Sequence, residues 1–139
     1  MDVSALKTAI ATRYTAYTAL TTVLTGGLHW RQAPQDPTYP YARYFIVSNS
    51  PEYTFTEVGE NTLIQFSIFD YDVNNINNDA ILNDCAKKLM ACFDLCSLTV
   101  DGYTHIQMIR ERSGEMPTPE GDDVLHYSMD YRVLIQKSR

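Results

Sequence analysis

Between Trp30 and Asp72 the chain holds three strand-like runs cut apart by proline, asparagine and glycine, and this stretch limits the fold more than any other. Pro34, Pro37 and Pro40 each fix φ and lack a backbone donor, which predicts an extended surface arm from Ala33 to Tyr39. Tyr41 to Ser48 is aromatic and β-branched, the composition of a strand within a sheet. Asn49, Ser50 and Pro51 interrupt it, and Gly59 centres a second turn signal over Val58 to Asn61. Thr62 to Tyr71 then alternates, with Ile64, Phe66 and Ile68 on one face and Gln65 and Ser67 on the other. The reading is a half-buried antiparallel hairpin with a long polar loop from Ser50 to Asn61.

The flanking segments supply helices and more strands. Asp2 or Ser4 can cap a first helix and Gly26-Gly27 can end it. Val3, Leu6, Ile10, Tyr14, Tyr17, Leu20 and Leu24 form its apolar stripe. Its many threonines are mediocre helix formers, so it depends on packing and is expected to break near Thr15. Leu28 to Gln32 reads as a short strand. The asparagines at 74, 75, 77 and 78 signal a turn ahead of a second helix, about Asp79 to Leu95, whose buried face is Leu82, Cys85, Ala86, Leu89, Phe93 and Cys96. Asp101-Gly102, between Leu98-Thr99-Val100 and Tyr103 to Arg112, predicts a type I′ hairpin. Ser113 to Asp123 reads as a long, polar excursion. The last strand places Leu125, Tyr127, Met129, Tyr131, Val133 and Ile135 on one face. The expected fold class is α+β, one mainly antiparallel sheet covered on one face by two helices, with residues 1–139 as a single domain.

Composition excludes several functions. The net charge is −6, and phosphate binding needs clustered Lys and Arg that this chain lacks, so a nucleic-acid-gripping surface is not expected. No segment reads as a signal peptide or bilayer span, and three cysteines do not suit a disulfide framework, so a reducing cytoplasm is the expected site of synthesis. Cys85, Cys92 and Cys96 sit on neighbouring faces of one helix, but zinc needs a fourth ligand. His29, His105 and His126 are scattered outside familiar ligand spacings, so core thiols without metal are expected. No nucleophile elbow, phosphate loop or dinucleotide fingerprint occurs, and no cofactor is expected. Asp70 and Asp72 share a face at a strand end and read as a polar edge, not a catalytic pair. Ten tyrosines, among them Tyr39, Tyr41, Tyr44 and Tyr53, read as sheet-packing and interface residues. Phe55, Val58, Met116 and Val124 are apolar residues in otherwise polar stretches, which makes them the candidates for an oligomer or partner interface.

The order of these features resembles a known family. A helix ends in Leu24-Thr25-Gly26-Gly27, followed by a short strand, the arm Ala33-Pro34-Gln35 with Tyr39-Pro40-Tyr41, and a long hairpin into Ile64 to Tyr71. A helix, the Asp101-Gly102 turn and a tyrosine-rich alternating strand complete it. Over nearly its whole length the chain resembles the tail-completion, or tail-terminator, proteins of long-tailed phages with flexible tails. The resemblance implies a non-enzymatic hexameric ring that caps the tail tube, stops its polymerisation and presents a head-joining face. It implies as partners further copies of the chain, the major tail tube protein and a neck or head-completion protein, with DNA passing through the channel unbound and no membrane contact. The implied location is the head-proximal end of the virion tail. Two other readings stand beside it: a neck or head-completion protein of the same virion type, and a small ligand-binding or enzymatic α+β domain, which would need a deep, closed polar pocket.

Overall fold

The computed structural model describes residues 1–72, 78–117 and 123–138. In chain order the elements are α1 (Val3–Ala16), α2 (Thr18–Val23), β1 (Leu28–Trp30), β2 (Tyr41–Tyr53), β3 (Glu57–Tyr71), α3 (Ala80–Phe93), β4 (Thr104–Met116) and β5 (Val124–Ser138). They build one α+β unit around a mixed, open sheet of order β1-β2-β3-β5-β4. Every neighbouring pair is antiparallel except β1 and β2, which the proline arm joins in parallel by carrying the chain back to the end where β1 began.

The Asp2 carboxylate accepts from the Ala5 amide and starts α1. The stripe then breaks at Tyr17, two residues from the expected point. The Thr15 hydroxyl donates back to the Ala11 carbonyl just before the break, and the Thr22 hydroxyl to that of Thr18, a competition with the backbone that bends helices. Gly26 ends the segment because the chain passes hard against the proline arm: a Cβ there would lie 1.8 Å from the Thr38 carbonyl oxygen.

The register puts Ala42 beside Ile68, Tyr44 beside Phe66, and Phe66 beside Met129 on one face. The helices pack on that face, through Leu6, Ile10, Leu20, Leu24, Leu82, Leu89 and Phe93. At its centre the Phe66 ring meets Phe93 at 4.9 Å, Tyr44 at 5.5 Å and Tyr131 at 5.6 Å. Tyr131 donates to Asp94 Oδ1 at 2.5 Å, and Asp94 pairs with Arg110, which ties α3, β5 and β4 together. Burial and the Asp94 charge push the Tyr131 phenol well above its ordinary range, so it stays a donor.

Three sequence expectations change. The stretch from Ser50 to Asn61 is not a loop: β2 and β3 stay paired out to Tyr53 and Val58, leaving only a tight turn at their tip. Pro51 is tolerated because β1 has ended and β2 is there an edge strand, and Gly59 accepts the close approach of Glu52, whose carbonyl oxygen would lie 3.0 Å from an added Cβ. Likewise, Ser113 to Met116 belongs to β4, while 118–122 fall outside the described residues. Leu98 to Val100 form no strand. Tyr103 closes a turn onto the Val100 carbonyl in which Gly102 alone has positive φ (82°), the type II pattern rather than I′. The chain instead lays Leu98 and Val100 into the core.

Candidate assembly surface

The four interface candidates fall into two pairs. Phe55 crowns the hairpin tip and is 99% exposed. The turn beneath it is held by the Thr54 amide donating to the Glu57 carbonyl and the Glu57 amide donating to the Thr54 hydroxyl, both at 3.0 Å. Val58 stands between Tyr53 and Lys137 in the ladder just below. Met116 lies at the opposite end, across from His126, and Val124 lies across from Tyr71. Along β3 the two ends, Val58 and Tyr71, are 13 positions apart, on the order of 40 Å of strand. The structure thus joins Phe55 to Val58 and Met116 to Val124, and separates the pairs by the length of the sheet.

Each pair has aromatic neighbours that the sequence reading did not place with it. Tyr53 is exposed beside Phe55, and Tyr71 beside Val124. The face opposite the helices carries no helix among the described residues, and at the Met116 end it bears a row of rings. Tyr41 stacks on Phe69 at 5.2 Å and Phe69 on His126 at 4.5 Å, while Tyr39 reaches both Tyr41 and Tyr71. Burial, and then the Arg43 charge, hold His126 below its ordinary pKa, so a neutral ring stacks in this row at neutral pH. Further along this face a polar belt is internally satisfied: Arg112 and Gln65 both donate to Asp130, and Arg132 donates to Glu111 and Asn61. The apolar ends, not this belt, are left for association.

The residues weighed for chemistry are enclosed. Asp70 and Asp72 are buried rather than edge groups; Asp70 accepts from the Tyr71 amide and Asp72 from that of Asn78. Burial raises the Asp70 carboxyl, with the Asp72 charge a lesser cause in the same direction. Among the described residues no three His, Cys, Asp or Glu side chains are placed to share a metal ion. Among the described residues no helix is long and apolar enough to cross a membrane. Cys85, Cys92 and Cys96 are unbridged and buried. Burial pushes Cys85 up to about 12 and Cys92 to about 11. The thiolate is the reactive form. All three thiols are therefore expected to react with an aromatic disulfide reagent at pH 8 at least 100-fold more slowly than free cysteine, speeding up only on unfolding. One fast thiol per chain in the native protein would contradict this placement.

The class defined by this geometry is an open five-stranded α+β sheet with helices on one face and apolar patches at both strand ends. No family model matches the sequence, and no curated protein does. Solved structures do share the fold. A chain of the virion of a native gene transfer agent particle aligns with a TM-score of 0.74 at 13% identity, over 96% of each chain. A second solved structure aligns with a TM-score of 0.60 at 14% identity, again over 96% of each chain. At such identities the likeness is one of fold.

Proposed function

We propose that the protein is a structural component of a phage-like virion, and that six copies form a ring that ends the tail tube and offers the head-joining face. The observation that carries this reading is the end-to-end likeness to a chain of a solved gene transfer agent virion. The two separated apolar patches support it, because a closed ring of identical subunits needs two different surfaces on each copy. The internally paired charges of the polar belt also suit a scaffold role better than catalysis.

Six copies of the 15.8 kDa chain make a particle of about 95 kDa. Electron microscopy of the purified protein mixed with polymerising tail tubes from the same virus is expected to show rings seated at one end of tubes that have stopped growing. Tubes that grow equally long with and without the protein would end the terminator reading, and rings found on heads but never on tubes would transfer the protein to the neck.

A further inference from the structure

Resting on the ring reading, we infer that the hairpin tip of one copy, bearing Tyr53 and Phe55 between Glu52 and Glu57, seats in the arginine-lined groove at the β1 end of the next copy. The groove, about 560 Å³ and open to solvent, is walled by Trp30, Arg31, Arg43, Phe45 and Ile46. It exists because β1 is only three residues long. The last bond of that pairing runs from the Arg31 amide to the Tyr44 carbonyl, and beyond it the edge of β2 has no neighbour among the described residues.

Charge complementarity names the occupant. Lys88, Arg110, Arg112 and Arg132 all pair with carboxylates of their own chain. Arg31 and Arg43, like Lys7, Arg13, Lys87 and Lys137, have no ion pair among the described residues, but these two arginines share one groove in a chain of net charge −6. The Arg43 guanidinium lies 5.2 Å from the Phe69 ring centre, and its Nε is buried without a hydrogen-bond partner. A groove of two arginines and two aromatic rings is suited to a segment that brings both carboxylates and aromatic rings. The hairpin tip is such a segment: Glu52 and Glu57 flank Tyr53, 68% exposed, and Phe55, 99% exposed. Neither Glu52 nor Glu57 is in an ion pair among the described residues, although Glu52 accepts from Asn61 and its charge reaches Arg132. The tip cannot reach its own groove, because Ile46 and Phe55 are nine positions apart on a paired strand, roughly 30 Å. The occupant is therefore a second copy, and the contact joins unlike patches, the geometry that closes rings.

The test is charge reversal at each side in the full chain, read by sedimentation velocity with circular dichroism as a check on folding. A groove-reversed variant, R31E with R43E, and a tip-reversed variant, E52R with E57R, are each expected to lose self-association at least 100-fold. Mixed in equal amounts they should recover it, because each reversed tip or groove then meets an opposite charge, in a ring where the two variants alternate. Should R43E disturb the sheet, R31E alone mixed with E57R makes the same test with a loss nearer tenfold. Variants that assemble as the unaltered chain does, or folded variants whose mixture stays dissociated, would overturn the contact while leaving the ring reading intact. An unaltered chain that remains monomeric at millimolar concentration would overturn both.

Discussion

Phe55→Asp combined with Met116→Asp leaves a folded monomer. Both side chains are solvent-exposed, Phe55 at 99% and Met116 at 47%, so the substitutions remove no core contact and the unfolding midpoint should move by no more than a degree or two. The effect falls on assembly. A stable contact of this kind buries on the order of 1,200–2,000 Å² and draws most of its energy from a few aromatic and long apolar residues. Two such residues replaced by buried carboxylates cost roughly 2 kcal/mol or more each, about a 1,000-fold loss in association when combined. Mass photometry over a concentration series measures this directly. The single variants separate the patches, and Phe55→Asp is expected to account for most of the loss. A double variant that still forms rings at the same concentration would show that neither end of the sheet carries the contact.

The opposite outcome is expected in the core. Phe66 is fully buried and touches Tyr44, Phe93 and Tyr131, so it joins the middle of the sheet to α3 and to β5. Phe66→Ala removes that ring and leaves a cavity between layers that cannot collapse onto it, at about 3–5 kcal/mol. Against a total of about 5–15 kcal/mol for a domain, that is enough to lower the unfolding midpoint by on the order of 10 °C. Urea unfolding of the dilute chain measures it. A loss under 1 kcal/mol would mean that the three rings do not share one core. Phe69→Ala, three positions on along β3 and facing the uncovered side, should cost less than half as much.

Periodicity made the core of this fold readable. The face of β5 came directly from alternation, because each of its inward positions is apolar, and the buried face of α3 came from helical spacing. Local turn chemistry was less reliable. Asn49, Ser50, Pro51 and Gly59 all favour turns in isolation, yet they lie inside paired strands. The cross-strand bond from Asn49 to Glu60, and the bond from Thr62 back to Asn49, hold this part of the hairpin together, and such pairings between distant positions leave no mark in a local window. Asp101-Gly102 failed for a related reason: Leu98 and Val100 gain more by burial against the core than by forming a ladder. Of the candidate surface, sequence supplied the four apolar residues but not their division between two ends. That division follows from register, as do the row Tyr41, Phe69 and His126 and the clustering of Arg31 with Arg43. A signal was present all the same in the acids that flank Tyr53 and Phe55.

Both margins of the sheet are irregular. β2 shifts register between Ile46 and Ser48 and then carries Pro51, while β4 shifts between His105 and Gln107 and again between Arg110 and Arg112. Extra residues twist a margin away from any straight strand laid beside it, and proline removes a donor from the row. A copy of this chain thus has little capacity to template a backbone ladder with its neighbour, and its contacts are restricted to side chains at fixed places. Ladder growth can repeat without limit, as in a fibre, whereas contacts of this second kind are used up once the circle is complete. If the chain ends a tube as proposed, margins on which no polymer can grow would serve that role.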